Sequence, residues 1–266
     1  MVDHSIFMDK ESILSLNNEP IGIMGAMEEE ISSLMKLIEN VQSETIGGRT
    51  YYSGKINNKE VVVVFSKWGK VAAAITVTTL IQKFQIQELI FTGVAGAIHP
   101  DLKIGDIVLG KRLFQHDMDA RPIIPQYELP LLKKIFIETP QLKIVQTKKV
   151  IDDLLNQQHL LQVITKEELQ QFGIESPKVY LGDIASGDQF ISDVNKKHQL
   201  RATFPDLLCV EMEGAAVAQV CYEFNIPFTI IRTISDCADQ HAEINFLEFV
   251  KEVANKYSRE IILRLV

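Results

Sequence analysis

The sequence predicts an α/β fold, a single domain built on a central mixed β-sheet flanked by helices. Short runs rich in Val and Ile, such as IGIMG at 21–25 and FTIIRTI at 228–234, alternate with longer segments of helical pattern. Two adjacent runs are joined by Asn57-Asn58, a hairpin signal that makes the sheet mixed rather than purely parallel. No Ser/Gly/Pro-rich linker divides the 266 residues, and a hydrophobic content of 46% is ample for one large core.

In chain order, residues 1–19 are polar and without sustained periodicity, and read as an N-terminal extension to a domain spanning 20–266. IGIMG is a strand, Gly25-Ala26 a turn, and Glu28, Glu29 and Glu30 open a helix expected to continue through Leu34, Leu37 and Ile38. Strands follow at 49–56 and 60–67. A helix rich in small residues spans 69–82, able to pack closely on the sheet or on another subunit. Residues 88–98 read as a strand ending in a glycine turn at Gly93 and Gly96, and 104–114 as another strand. The polar, proline-punctuated segment 115–130 is a loop. About 131–176 read as a helical elaboration with a capping box at Thr165 and Glu168. A strand at 179–191 carries the turn Ser186-Gly187-Asp188, which presents Phe190, and a helix covers 193–202. The strand 208–212, a helix opening at Glu213, the strand 228–234 running into Ser235 and Asp236, and an amphipathic helix at 246–264 complete the chain.

A net charge of −8 with scattered lysines argues against nucleic-acid binding. No apolar stretch approaches the ~20 residues of a membrane span, and the N-terminus lacks a signal-peptide pattern. Cys209, Cys221 and Cys237 are an odd set with no CxxC pair, read as free thiols in a reducing cytoplasm. His116, Asp117 and Asp119 lack a second histidine, so no metal is expected, and no cofactor motif is present: Gly22 and Gly25 are too little for a dinucleotide fingerprint.

The informative feature is where the carboxylates fall. Ligands of α/β sheets gather beyond the carboxyl ends of parallel strands, and Glu30, Asp188, Glu211, Glu213 and Asp236 all stand at strand ends, with Met27, Phe190 and Met212 close by in sequence. Two carboxyl groups in unlike settings can divide acid and base work at a glycosidic bond. An aromatic ring and two methionines suit a flat heterocycle bearing an alkyl or thioether group.

The motifs GAMEEE at 25–30, SGDQFI at 186–191, VEMEGAAVAQV at 210–220 and RTISDCAD at 232–239 resemble, in this order and spacing, the 5′-methylthioadenosine/S-adenosylhomocysteine nucleosidases of the nucleoside phosphorylase superfamily. The resemblance implies a nucleoside phosphorylase-like fold over about 20–266, a small-molecule nucleoside substrate, a homodimer and a place in methionine salvage. By position, it implies that Glu30 activates the attacking water and that Asp236, kept protonated by burial or by neighbouring acids such as Glu211 and Asp239, protonates adenine N7. Glu213 would hold the ribose hydroxyls with Met212 against the sugar, and Phe190 would stack on adenine with Ile191 touching its edge. Met27 and Phe246 would line the ribose and 5′ side, and Arg232 would support the water-side network. Two departures bear on specificity: Val94 stands where the family often has a hydroxyl, and the loop around Ala120 and Ile123 differs from the usual pattern. The alternatives are a phosphate-dependent purine nucleoside phosphorylase, a futalosine-type nucleosidase, and a non-catalytic nucleoside-binding protein.

Overall fold

The computed structural model describes residues 19–237 and 246–266. Residues 1–18 of the expected extension, and Asp239, lie outside the described residues. The strands are β1 (Ile21–Gly25), β2 (Glu39–Ile46), β3 (Arg49–Ile56), β4 (Lys59–Phe65), β5 (Glu88–Ala97), β6 (Ile107–Gln115), β7 (Phe136–Glu138), β8 (Val179–Ser186), β9 (Leu207–Glu211) and β10 (Phe228–Asp236). They form one mixed sheet in the order β10-β6-β8-β9-β5-β1-β4-β3-β2, with β7 beside β6.

β10 pairs with β5 as well as with β6, so β5, β9, β8, β6 and β10 close into a ring. β5 runs parallel to β1 and β10, and β9 parallel to β8, but β5 and β9 run antiparallel and meet only where Gly96 faces Val210 and Ala97 faces Cys209. Two parallel segments therefore touch at their carboxyl ends. Groups at the ends of β1, β5, β9 and β10 converge on one place for this reason. Gly93 and Gly96 accordingly lie inside β5 and do not form the expected turn. Gly93 serves close approach instead, since a Cβ there would come within 2.7 Å of Glu30 Oε1.

The hairpin between β3 and β4 turns on Asn57 and Asn58, both at positive φ (50° and 65°), the conformation a two-residue turn with native twist requires. β2 is an element the sequence pattern does not reveal, because its residues alternate no apolar face and are nearly all exposed. Its signal is the following pair Gly47-Gly48, again at positive φ, which turns the chain into β3.

The expected helix after β1 is also absent as such. Glu28–Glu30 forms a single 3-10 turn, followed by the four-residue helix α1 (Ser32–Met35). Two side chains compete with helix propagation: Glu30 turns back to accept from Ala26 N and Met27 N, and Asn255 bonds Glu29 O, Ser32 Oγ and Ser33 N. The remaining helices are α2 (Lys70–Phe84), α3 (Gln141–Leu155), α4 (Gln157–Val163), α5 (Lys166–Gln171), α6 (Val194–Thr203), α7 (Gly214–Glu223), α8 (Phe246–Phe249) and α9 (Asn255–Leu265). The closing helix is not continuous α-helix: a π-helical segment, Val250–Ala254, joins α8 to α9. The capping box of α5 forms as expected, with Thr165 Oγ1 accepting from Glu168 N and Glu168 from Thr165 N. Helix α2 packs on α7. Among the described residues no helix is long and apolar enough to cross a membrane.

Candidate active site

The converging strand ends enclose a cavity of about 260 Å³. Met27, Glu30, Phe190, Ile191, Met212, Glu213, Asp236 and Phe246 line it, together with Glu211, Val94 and Trp68. Of the residues to which the resemblance gives a role, Arg232 is not among the lining residues. It lies behind the wall, 1% exposed, with its guanidinium 4.0 Å from the Phe91 ring centroid and bound to Glu211.

Glu30 follows β1 and turns inward. Its Oε2 accepts from Ala26 N (2.7 Å) and Met27 N (2.9 Å), and its Oε1 accepts from Val94 N (3.1 Å). The main chain at Val94, not its side chain, thus supports the acid. Burial pushes the Glu30 carboxyl above the usual carboxylate range, against the opposing effect of the Met27 amide, the Arg232 charge and the amides of Ala26 and Val94. The amides and the nearby cation favour the ionised form of Glu30, and desolvation opposes it more strongly.

Glu213 is the N-cap residue of α7, which starts one position later than the pattern suggests. Its Oε1 accepts from Gly69 N at 2.7 Å, so the start of α2 positions it from across the cleft. Burial, followed by the negative charge of Glu211, pushes Glu213 up to about 8. Asp236 ends β10, is 6% exposed, and accepts from Ser235 Oγ at 2.8 Å.

Asp188 does not join the cluster. It is exposed and accepts from Lys70 N at 2.8 Å, capping α2, while its own amide donates to Asp117 Oδ2. Asp117 also pairs with Lys70 Nζ, whereas Asp119 pairs with Arg121, so these loop acids serve separate partners. Cys209 and Cys221 are buried, and burial raises both thiols.

Trp68 and Glu211 were not assigned to substrate by sequence reasoning. Trp68 is the single tryptophan of the chain, 67% exposed, at the cavity rim beside the Gly69 amide that holds Glu213. Its position one residue before a helix-opening glycine is a weak signal that gains meaning only with the fold.

The raised Glu213 carboxyl makes stability fall with rising pH. The folded chain holds a proton on Glu213 that the unfolded chain releases near the ordinary carboxyl value of 4.5. Its contribution is therefore fully present below about pH 4.5 and is lost as pH rises through about 8. Thermal melts should fall over that window, and Glu213→Gln should flatten the decline, because Gln accepts from Gly69 N without ionising. An equally steep decline in the variant would contradict this.

The model of the phosphorylase superfamily matches residues 20–266. A 5′-methylthioadenosine/S-adenosylhomocysteine nucleosidase of Staphylococcus carnosus is 38% identical over 248 residues, covering 92% of this chain and 98% of that protein. The structure of the nucleosidase of that name from S. pneumoniae, with a transition-state inhibitor, superposes with a TM-score of 0.76 at 33% identity, over 92% of this chain and 97% of that one. The futalosine hydrolase of Helicobacter pylori superposes with a TM-score of 0.79 at 34% identity, over 93% and 97% of the respective chains.

Proposed function

The chain belongs to the phosphorylase superfamily, and from that premise we propose that it hydrolyses the N-glycosidic bond of 5′-methylthioadenosine and S-adenosylhomocysteine, releasing adenine. The observation that carries this reading is that Glu30, Glu213 and Asp236 open into one cavity. In the proposed reaction Asp236 gives its proton to adenine N7. The bond from C1′ to N9 breaks with its electron pair leaving on the neutral base. Water, losing a proton to Glu30, forms the new bond to C1′. The cationic sugar passing between them is favoured by surrounding carboxylates. Glu213 accepts from the ribose hydroxyls over Met212, Phe190 stacks on adenine with Ile191 at its edge, and Met27 and Phe246 border the ribose and 5′ side. Arg232, behind the wall, helps hold the network on the water side.

Hydrolysis is favoured over phosphorolysis by Glu30, whose buried carboxylate repels an anion from the site of attack, and by Val94, whose side chain has no donor. A non-catalytic binding role is disfavoured because all three carboxyl groups share the cavity. The test is product analysis with methylthioadenosine, adenosylhomocysteine, adenosine and inosine. Adenine should appear from the first two in phosphate-free buffer, and a strict phosphate requirement would reject the reading. Futalosine-type substrates are a second reading, favoured by the similarity to the Helicobacter protein. Including one in the same assay decides between the 5′ groups.

The same reading includes a homodimer. Val71 and Ile75 of α2 are 71% and 48% exposed, and Ile123 of the 115–130 loop is 87% exposed, large apolar side chains left uncovered on the single chain. Light scattering should give twice the chain mass, and a monomer would contradict it.

A further inference from the structure

Glu211 is a buried acid that the proposed reaction does not use. Its Oε2 accepts from Arg232 Nη2 (2.7 Å) and Nε (3.2 Å), from Glu213 N (3.1 Å) and from Gly214 N (2.7 Å). Its Oε1 accepts from Gly214 N (3.0 Å) and Ser186 Oγ. Ser186 Oγ in turn accepts from Ala215 N at 2.7 Å, so acid and hydroxyl together satisfy the first amides of α7. Gly214 permits this, since a Cβ there would meet both carboxylate oxygens at 3.2 Å.

The pairing of Arg232 is the informative part. Its guanidinium is buried, and its hydrogen bonds go to Glu211 and to the carbonyls of Ile231 and Phe91. Glu30, by contrast, is hydrogen-bonded by amides alone and feels Arg232 only through space. A cation bonded directly to a carboxylate stabilises its ionised form and weakens it as a proton acceptor.

We propose that Glu211 is a positioning residue with two effects: it fixes the backbone that presents Glu213 to the sugar, and it engages Arg232 so that Glu30 keeps the basicity needed to draw a proton from water. This rests on the hydrolytic reading above and deepens it. The charged groups around Glu30 are consistent with that division. β10 contributes Arg232 and Asp236, and β9 and the residues after it contribute Glu211 and Glu213. The Glu28 and Glu29 side chains of its own turn are exposed and half-buried. α9 offers the turn the neutral Asn255, while its Lys256 and Glu260 pair with Glu168 and Arg264. The π-helical segment carries Lys251 and Glu252, and β5 contributes the Val94 amide.

The experiment is the pH dependence of kcat and kcat/KM for adenine release by the full chain. Glu211→Gln leaves Arg232 without its partner, and its charge then bears on Glu30. The acidic limb of kcat/KM should move down by about one pH unit or more, with kcat reduced about tenfold or more and KM raised through Glu213. Glu211→Gln with Arg232→Met removes both charges and should return the limb towards its wild-type position. Glu211→Asp keeps the charge and should raise KM while leaving the limb in place. A limb unmoved in Glu211→Gln, or moved equally in Glu211→Asp, overturns the proposal even if activity falls. Should Glu211→Gln not fold, the double variant and Glu211→Asp still decide: a double-variant limb displaced from wild type, or a displaced Asp limb, overturns it. A wild-type protein that releases no adenine removes the hydrolytic reading itself and this proposal with it, an outcome distinct from an active enzyme with an immobile limb.

Discussion

Asp236→Asn should release adenine about 10²- to 10⁴-fold more slowly than the wild type, the range a general acid typically contributes, with a nearly unchanged melting temperature. Asparagine matches the carboxyl in shape, and its oxygen can still accept from Ser235 Oγ, which stands 2.8 Å from Asp236 Oδ2. It has no proton to transfer. Without protonation at N7 the base must leave as an anion, so the loss should be concentrated in kcat. A nucleoside whose leaving group needs no proton, such as a 4-nitrophenyl riboside, should lose much less. Turnover of methylthioadenosine within about tenfold of wild type would remove Asp236 from the acid role.

Glu30→Gln should reduce hydrolysis by a similar factor of about 10²–10⁴ while ligand binding survives. The substitution is not silent for the fold. With its oxygen towards Ala26 N and Met27 N, the new amide group faces Val94 N, 3.1 Å from the present Oε1, and two donors oppose each other. That mismatch should cost about 1–3 kcal/mol, visible in denaturant melts. Binding can be followed through Trp68, the only tryptophan and a cavity residue, by titrating its fluorescence with a substrate analogue. Loss of binding in a folded variant would make Glu30 a structural residue.

How much of this is legible without coordinates depends on the kind of signal. The buried strands read clearly because β-branched runs such as Val61–Val64 have few other uses, and the Asn57-Asn58 turn because so few residues accept positive φ. β2 does not, because an exposed edge strand has no apolar period to detect. The helix expected after β1 fails because its first acid of consequence, Glu30, is drawn to backbone amides, and Asn255, more than two hundred residues away in sequence, bonds the same turn. Asp188 and Glu211 both stand at strand ends, yet one caps α2 in solvent and the other is buried against arginine. Nothing local separates them.

What the sequence by itself determined is the inventory: the apolar strands, the carboxylates that end them, the aromatic and methionine residues beside them, and a set of motifs that point to one superfamily. Only the tertiary structure decided how those acids differ. Their protonation depends on desolvation and on neighbours brought together by the antiparallel meeting of β5 and β9, and hydrogen-bond partners such as Gly69 for Glu213 or Arg232 for Glu211 are distant in sequence. A side chain's type is a local property, whereas its charge in a buried cluster belongs to the packing around it.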